Sequence, residues 1–233
     1  MAGVSRFQYP TNTRTIRVLC TGQVDPTYLL KAFKHGADGV MVIGCRLGEC
    51  HYITGNLHAR WKVDLTKRMI EKIGMSTERL EMRFISSAEG TKYIEAVKEF
   101  TDKVKSLGPT PIKSKEKGEK IKRAIDSLIS TASGYRIRAV VAKIQKMMEE
   151  GNVYNEKIPQ EEIEKIIEDT VNTEFVRQSI LLCLRENTSS CVKLSEKINV
   201  SPDIVLSHLS HLRKNNLIDV DRVEERVPLY KVL

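Results

Sequence analysis

No stretch of the 233 residues is apolar for long enough to cross a bilayer. The longest such runs, Ser179 to Leu184 among them, fall far short of the ~20 residues a spanning helix needs. The opening MAGVSRFQYP lacks the apolar centre of a signal peptide, so the chain reads as cytoplasmic, with no membrane among its partners. Nothing resembles a catalytic triad, a phosphate-binding loop or a dinucleotide fingerprint. Cysteine is sparse and odd in number: Cys20, Cys45, Cys50, Cys183 and Cys191. In a reducing compartment, an odd set at uneven spacing argues against a disulfide framework and for metal binding or plain burial.

A strong, uniform charge is also missing. The formal net charge is +8, but it is unevenly spread. Met1 to Ile112 carries 17 basic and 11 acidic residues, Lys113 to Tyr135 carries 6 and 3, and Arg136 to Leu233 carries 15 and 16. The chain is 41% hydrophobic and 29% charged, enough apolar material for a real core.

The first half alternates strand and helix signals. Thr15 to Cys20 (TIRVLC) is β-branched and apolar and predicts a buried strand ending at Thr21-Gly22. Asp25-Pro26 predicts a helix start, with Asp25 as N-cap, Pro26 at the first position, Leu29, Leu30 and Phe33 on the apolar face, and His35-Gly36 as the end. After an Asp38-Gly39 turn, Val40 to Ile43 is apolar throughout, as in a parallel strand covered on both faces. Beyond a Gly44 to Asn56 loop, the spacing of Val63, Leu65, Met69 and Ile70 predicts a helix from about Ala59 to Ile73. Leu80 to Ile85 reads as a third strand. Ser86-Ser87-Ala88-Glu89 reads as a capping box opening a helix that runs to about Leu107 and stops at Gly108-Pro109. The β-α-β-α-β-α order predicts an α/β class: a small parallel sheet with helices on both faces, followed by a helical linker and a C-terminal winged helix domain.

In such sheets ligands sit outside the carboxyl ends of the strands. Cys20 ends the first predicted strand, Cys45 ends the second, and the loop returns Cys50 to the same edge. Thiolates suit Zn and Fe–S centres, and Gly44, Gly48 and Gly55 allow the tight turns that wrapping such a centre requires. A strand-end cysteine is also an ordinary small buried hydrophobe. His51 and His58 read as supporting or surface residues rather than ligands.

Here the sequence resembles a known family. QYPTNTRTIRVLCTGQVDPTYLLKAFKHGADGVMVIGCRLGECHYITGN, FISSAEGTKYIEAVKEF and SLGP are similar to the delta subunit of methyl-viologen-reducing hydrogenase, in family order, over about the first 110 residues. The resemblance implies a [2Fe–2S] cluster. It also implies electron relay between a hydrogenase or formate dehydrogenase and the flavin-bearing subunit of heterodisulfide reductase. Cys20, Cys45 and Cys50 fall on family cysteines, with His51, Gly22, Gly44 and Gly48 around them. The family's opening strand and Cys-Cys-x-x-Cys loop do not precede the Ala2-Gly3-Val4-Ser5-Arg6 start. Only three of the four usual thiolates are therefore expected. The fourth is then expected from sequence upstream or from a partner, or the cluster is lost.

Three segments are expected: 1–112 as the iron–sulfur domain, 113–172 as a helical linker and 173–233 as a winged helix. Lys113 to Lys122 is charged and reads as solvated. Ile125, Leu128, Ile129, Ile137, Val140, Val141, Ile144 and Met148 keep helical spacing, broken at Ser133-Gly134, and Pro159 to Val171 and Phe175 to Leu184 predict two further helices. KLSEKINVSPDIVLSHLSHLRKNNLI resembles a winged helix-turn-helix, with Val192, Leu194, Ile198, Ile204, Leu206, Leu209 and Leu212 as its core and Leu217 to Val220 and Val227 to Val232 as strands. DNA or a protein partner would meet Ser207, Ser210, His211 and Lys214 on the helix from Pro202 to Lys214 and Arg222 and Arg226 on the wing. Glu174 to Leu233 carries 9 basic and 8 acidic residues. So balanced a surface neutralises few phosphates, which ranks protein docking ahead of DNA binding. Cys183 and Cys191 read as structural.

The leading functional reading is an electron-transfer subunit that makes and breaks no substrate bonds itself. The alternatives are a redox-sensing winged-helix transcription regulator and a structural zinc site of Cys20, Cys45, Cys50 and His51.

Overall fold

The computed structural model describes residues 8–151, 156 and 158–233. The Ala2–Arg6 start and the Met148 side chain lie outside the described residues.

Helix α1 (Pro26–Lys34) starts as its sequence predicts. The Asp25 carboxylate accepts from Thr27 N–H at 2.9 Å, and Leu29, Leu30 and Phe33 are buried. Strand β1 (Val40–Gly44) pairs in parallel with β2 (Leu80–Phe84), Val40 opposite Leu80 through Gly44 opposite Phe84. Between them lies α2 (Gly55–Lys72), which begins four residues before the predicted Ala59 because no helix breaker stands between Gly55 and Ala59. Val63, Leu65, Met69 and Ile70 are buried along it.

Two expectations fail here. β1 is only half-covered, with Val40, Met41 and Ile43 partly exposed. And Thr15 to Cys20 is not a strand. It pairs with neither β1 nor β2, and its apolar residues face solvent, Ile16 at 86% and Leu19 at 81% exposure. β-propensity records fit to a pleated, half-buried surface, and without a ladder partner that pattern cannot become a strand. At its start the Thr15 hydroxyl lies 3.4 Å from the Tyr93 hydroxyl of α3 (Gly90–Ser106), against which the preceding Tyr9 packs edge-on. The capping box is also displaced. Glu89, not Ser86, is the N-cap of α3, and its carboxylate reaches back to Ser86 N–H at 2.9 Å.

The α4 (Gly118–Ser133) and α5 (Tyr135–Glu149) helices meet at the predicted Gly134 break. Ile125, Leu128, Ile137 and Ile144 join Leu29, Phe33, Met69 and Ile70 in one apolar cluster that extends to Val171. Lys34–Asp126 and Arg68–Glu164 ion pairs tie the same surfaces together. Helix α6 runs unbroken over 27 residues, Gln160–Glu186, where two helices were expected. Asn172, Thr173 and Glu174 change the apolar pattern but include no Gly or Pro, so nothing there stops the helix. Its first half (Ile163, Ile167) belongs to the first cluster. Its last turns (Ile180, Leu181, Leu184) belong to a second, with Leu194, Val205, Leu209, Leu212, Ile218 and Tyr230.

That second cluster lies among α6, α7 (Cys191–Ile198), α8 (Pro202–Lys214) and the antiparallel hairpin β3 (Ile218–Glu224) and β4 (Val227–Val232). On α8 the buried stripe is Val205, Leu209 and Leu212, spaced i, i+4, i+7. Ile204, Leu206 and, on α7, Val192 are about half exposed, at 45%, 50% and 55%, so these three predicted core residues lie outside it. Among the described residues no helix is long and apolar enough to cross a membrane.

Candidate metal centre

The site is built by close backbone approach at the start of α2. The residues just before α1 form a 3₁₀ turn, Thr21–Gln23, whose cap is Cys20; its sulfur accepts from Gly22 N–H at 3.4 Å. That turn lies directly on the first residue of α2. A Cβ on Gly22 would stand 3.0 Å from both Cα and O of Gly55, and a Cβ on Gly55 would stand 2.3 Å from Cys20 Sγ and 3.4 Å from Cys50 Sγ. A side chain at Gly55 would have to displace the Cys20 sulfur, and the two sulfurs flank the space its missing side chain leaves. Gly44 plays a lesser part at the end of β1, where a Cβ would meet Thr21 Oγ1 at 3.0 Å, and Gly48 (φ +82°) only turns the loop.

Cys50 meets the helix N-terminus. Thr54, the N-cap of α2, makes no side-chain cap bond, so the first N–H groups need another acceptor. Burial pushes the Cys50 thiol up, but the N–H groups of Asn56, Tyr52 and Gly55 and the Cys20 thiol more than offset it, and the pKa falls below the ordinary thiol value. The loop is held by Asn56, 1% exposed, whose amide donates to the carbonyls of Cys45 (3.0 Å) and Arg46 (2.8 Å). Ile53 adopts φ +64° on the way into the helix, a strained value for a β-branched residue. Arg46 bridges to Glu89, joining the loops that leave β1 and β2.

The structure brings together two of the three predicted thiols. Cys45 is exposed. Among the described residues no three His, Cys, Asp or Glu side chains are grouped so as to hold a metal ion. Asn56 holds the Cys45 carbonyl, while Cys45 itself stays exposed. His51 is exposed and packs edge-on to Tyr52, ring centroids 5.1 Å apart. Sequence reasoning gave Gly55 only a turn's role and missed Asn56 and Lys62. A Gly-Asn pair directly after the cysteine loop was the available signal for the first two.

Elsewhere, burial raises the thiol pKa of Cys183 and Cys191, the opposite direction from Cys50. Ser207, Ser210, His211 and Lys214 are exposed along α8. On the hairpin, Arg222 is held by Glu224 at 2.7 Å and Asp221 at 2.8 Å, and Arg226 occupies the tip at φ +69°.

Cys20 and Cys50 lie within the stretch of the chain that is similar to known proteins. Residues 1–108 match the family described as FlpD, the methyl-viologen-reducing hydrogenase delta subunit. The iron-sulfur subunit of the F420-non-reducing hydrogenase vhu of Methanococcus maripaludis is 52% identical over 114 residues, 49% of this chain and 85% of that protein. Its namesake in Methanocaldococcus jannaschii is 47% identical over 114 residues, again 49% of this chain and 85% of its own. A subunit of the ferredoxin/F420H2-dependent CoB-CoM heterodisulfide reductase of Methanosarcina acetivorans is 45% identical over 109 residues, 47% of this chain but only 14% of that longer one. With about half the chain so similar to most of the length of hydrogenase iron-sulfur subunits, the chain belongs to the methyl-viologen-reducing hydrogenase delta subunit family.

Proposed function

We propose that this protein is an electron-transfer iron–sulfur subunit of a hydrogenase- and heterodisulfide reductase-type assembly. The observation that carries the reading is the pair of sulfurs, Cys20 and Cys50, closing on Gly55 at the N-terminus of α2. Soft donors beside helix N–H groups favour the thiolate form that iron–sulfur centres require. The relatives support the setting. The matched stretch occurs as a separate iron-sulfur subunit in hydrogenases and also within a much longer heterodisulfide reductase polypeptide.

A [2Fe–2S] cluster is the group the family resemblance implies, and the donor set fits it in part. Cys20 and Cys50 would hold it, with Cys45 on the same loop as third ligand. When bound, the cluster supplies one-electron transfer. The chain's own contribution is to present thiolates, to direct Gly22, Gly55 and Asn56 N–H groups at their sulfurs, and to set the local burial that tunes potential. Leu19, Leu47, Tyr52 and Ile53 are exposed around the site and suit docking of the flavin-bearing reductase subunit or of the electron donor, a hydrogenase or, by family resemblance alone, a formate dehydrogenase. The C-terminal helices and hairpin, read as a winged helix, fit protein docking better than DNA, because the Arg222 guanidinium is already neutralised by two carboxylates.

The test is iron and acid-labile sulfide content after anaerobic preparation with the cognate partners. Cys20→Ser, Cys45→Ser and Cys50→Ser should each lower it, since a hydroxyl is a hard ligand, while Cys183→Ser and Cys191→Ser should not. Unchanged iron and unchanged visible absorbance in the first three variants would remove the site assignment, and a complete assembly without iron in this subunit would remove the function.

A further inference from the structure

Lys62 stands seven residues after Gly55 on α2, two turns along and on the same face. Helical side chains lean toward the N-terminus, and this one reaches back far enough for Nζ to donate to the Gly22 carbonyl at 2.6 Å. Gly22 belongs to the turn that carries Cys20 and lies against Gly55. The contact therefore spans the two backbone pieces whose approach brings Cys20 beside Cys50. Apart from the glycine contact itself, it is a charge-assisted bond directly between the turn and the helix. Burial, and to a lesser degree Arg138, disfavour the ammonium and hold its pKa below the ordinary lysine value, while Asp25 and Cys20 favour it. Asp25 is in turn paired at 3.4 Å with Arg138 of α5, so a helix beyond the matched residues 1–108 reaches the same group of charges.

We propose that Lys62 is the positioning residue of the thiol pair: its bond to the Gly22 carbonyl holds the Cys20 turn against the start of α2. The inference rests on Cys20 and Cys50 as the working pair. Without Lys62 the two glycines still permit the approach, but no charged group enforces it, and Cys20 samples positions away from Cys50.

The experiment uses the full-length, metal-free protein equilibrated anaerobically with mixtures of reduced and oxidised glutathione. Cys20 and Cys50 thiols form one disulfide as one glutathione disulfide is reduced to two glutathione molecules. Acid quenching, alkylation and peptide mapping of the Cys20–Cys50 product give the equilibrium constant, which measures the effective concentration of one thiol at the other. Lys62→Met should lower that constant by about tenfold, the scale of one charge-assisted hydrogen bond. Lys62→Arg, which keeps a long cationic donor, should recover most of it. Circular dichroism confirms the fold, and Lys62→Gln replaces the methionine variant if that variant melts early.

A constant unchanged by Lys62→Met or Lys62→Gln, an arginine variant no better than methionine, or a wild type that forms no Cys20–Cys50 disulfide would each overturn the proposal. The measurement contains no iron. A failed positioning role and a failed cluster assignment are therefore separate outcomes, the second read from the iron content of the wild-type assembly.

Discussion

Gly55→Ala should act on one atom. The added Cβ would stand 2.3 Å from Cys20 Sγ, against a normal carbon contact of about 3.5–4.0 Å. The sulfur must therefore retreat by more than about 1 Å, or the turn carrying it must lift from α2. Overpacking of this kind costs about 1–3 kcal/mol. Helix propensity works the other way, since alanine is better than glycine by up to about 1 kcal/mol, and less in a first turn. Gly55 has no positive φ, so alanine meets no backbone strain there. The two contributions separate in a double-mutant cycle with Cys20→Ala. Urea unfolding of the four proteins in reductant should show Gly55→Ala destabilising with cysteine at position 20 and neutral or stabilising with alanine there. The coupling should be about 1–3 kcal/mol. Equal effects of Gly55→Ala in both backgrounds would refute the contact and with it the geometry of the site.

The hairpin should be easy to stabilise. Its two-residue loop places Glu225 at φ +46° and Arg226 at φ +69°, the type I′ pattern that asparagine and glycine adopt cheaply, so Glu225→Asn with Arg226→Gly should raise stability by about 1–2 kcal/mol, read as a higher melting temperature. Glu89 should give an acid-sensitive step. Hydrogen bonds from Lys92, Ser86 N–H and Arg46 hold its pKa at about 2 against an ordinary 4.5. Its folded-state pKa is depressed, so its contribution is complete above pH 4.5 and is lost as pH falls from there toward about 2; Glu89→Gln should flatten the stability–pH curve in that window, and an unaltered curve would show that Glu89 is not its source.

What the sequence determined by itself is mostly what local chemistry dictates. Asp25-Pro26 sets the start of α1, because a carboxylate cap and a residue without N–H satisfy a helix N-terminus wherever it lies. Pro202 to Lys214 and the Gly134 break follow from equally local preferences. Parallel pairing was legible because an apolar run, Val40 to Ile43, and a segment of alternating apolar and charged residues, Leu80 to Ile85, stand on either side of a helix. The thiol-bearing loop was legible because Cys45 follows one of those strands directly.

Tertiary structure alone decided the rest. TIRVLC has the composition of a strand, but a strand needs a neighbour, and none pairs with it. The apolar periods on either side of Asn172 suggested two helices, whereas α6 serves two clusters by running through both. Equal spacing along the loop does not mean equal position in space. Cys50 faces the N–H groups of α2, while Cys45, its carbonyl held by Asn56, stays exposed. And Lys62 carries no motif at all. It acquires its role only because two turns of helix and the length of one side chain bring its ammonium to the Gly22 carbonyl, forty residues away in the chain.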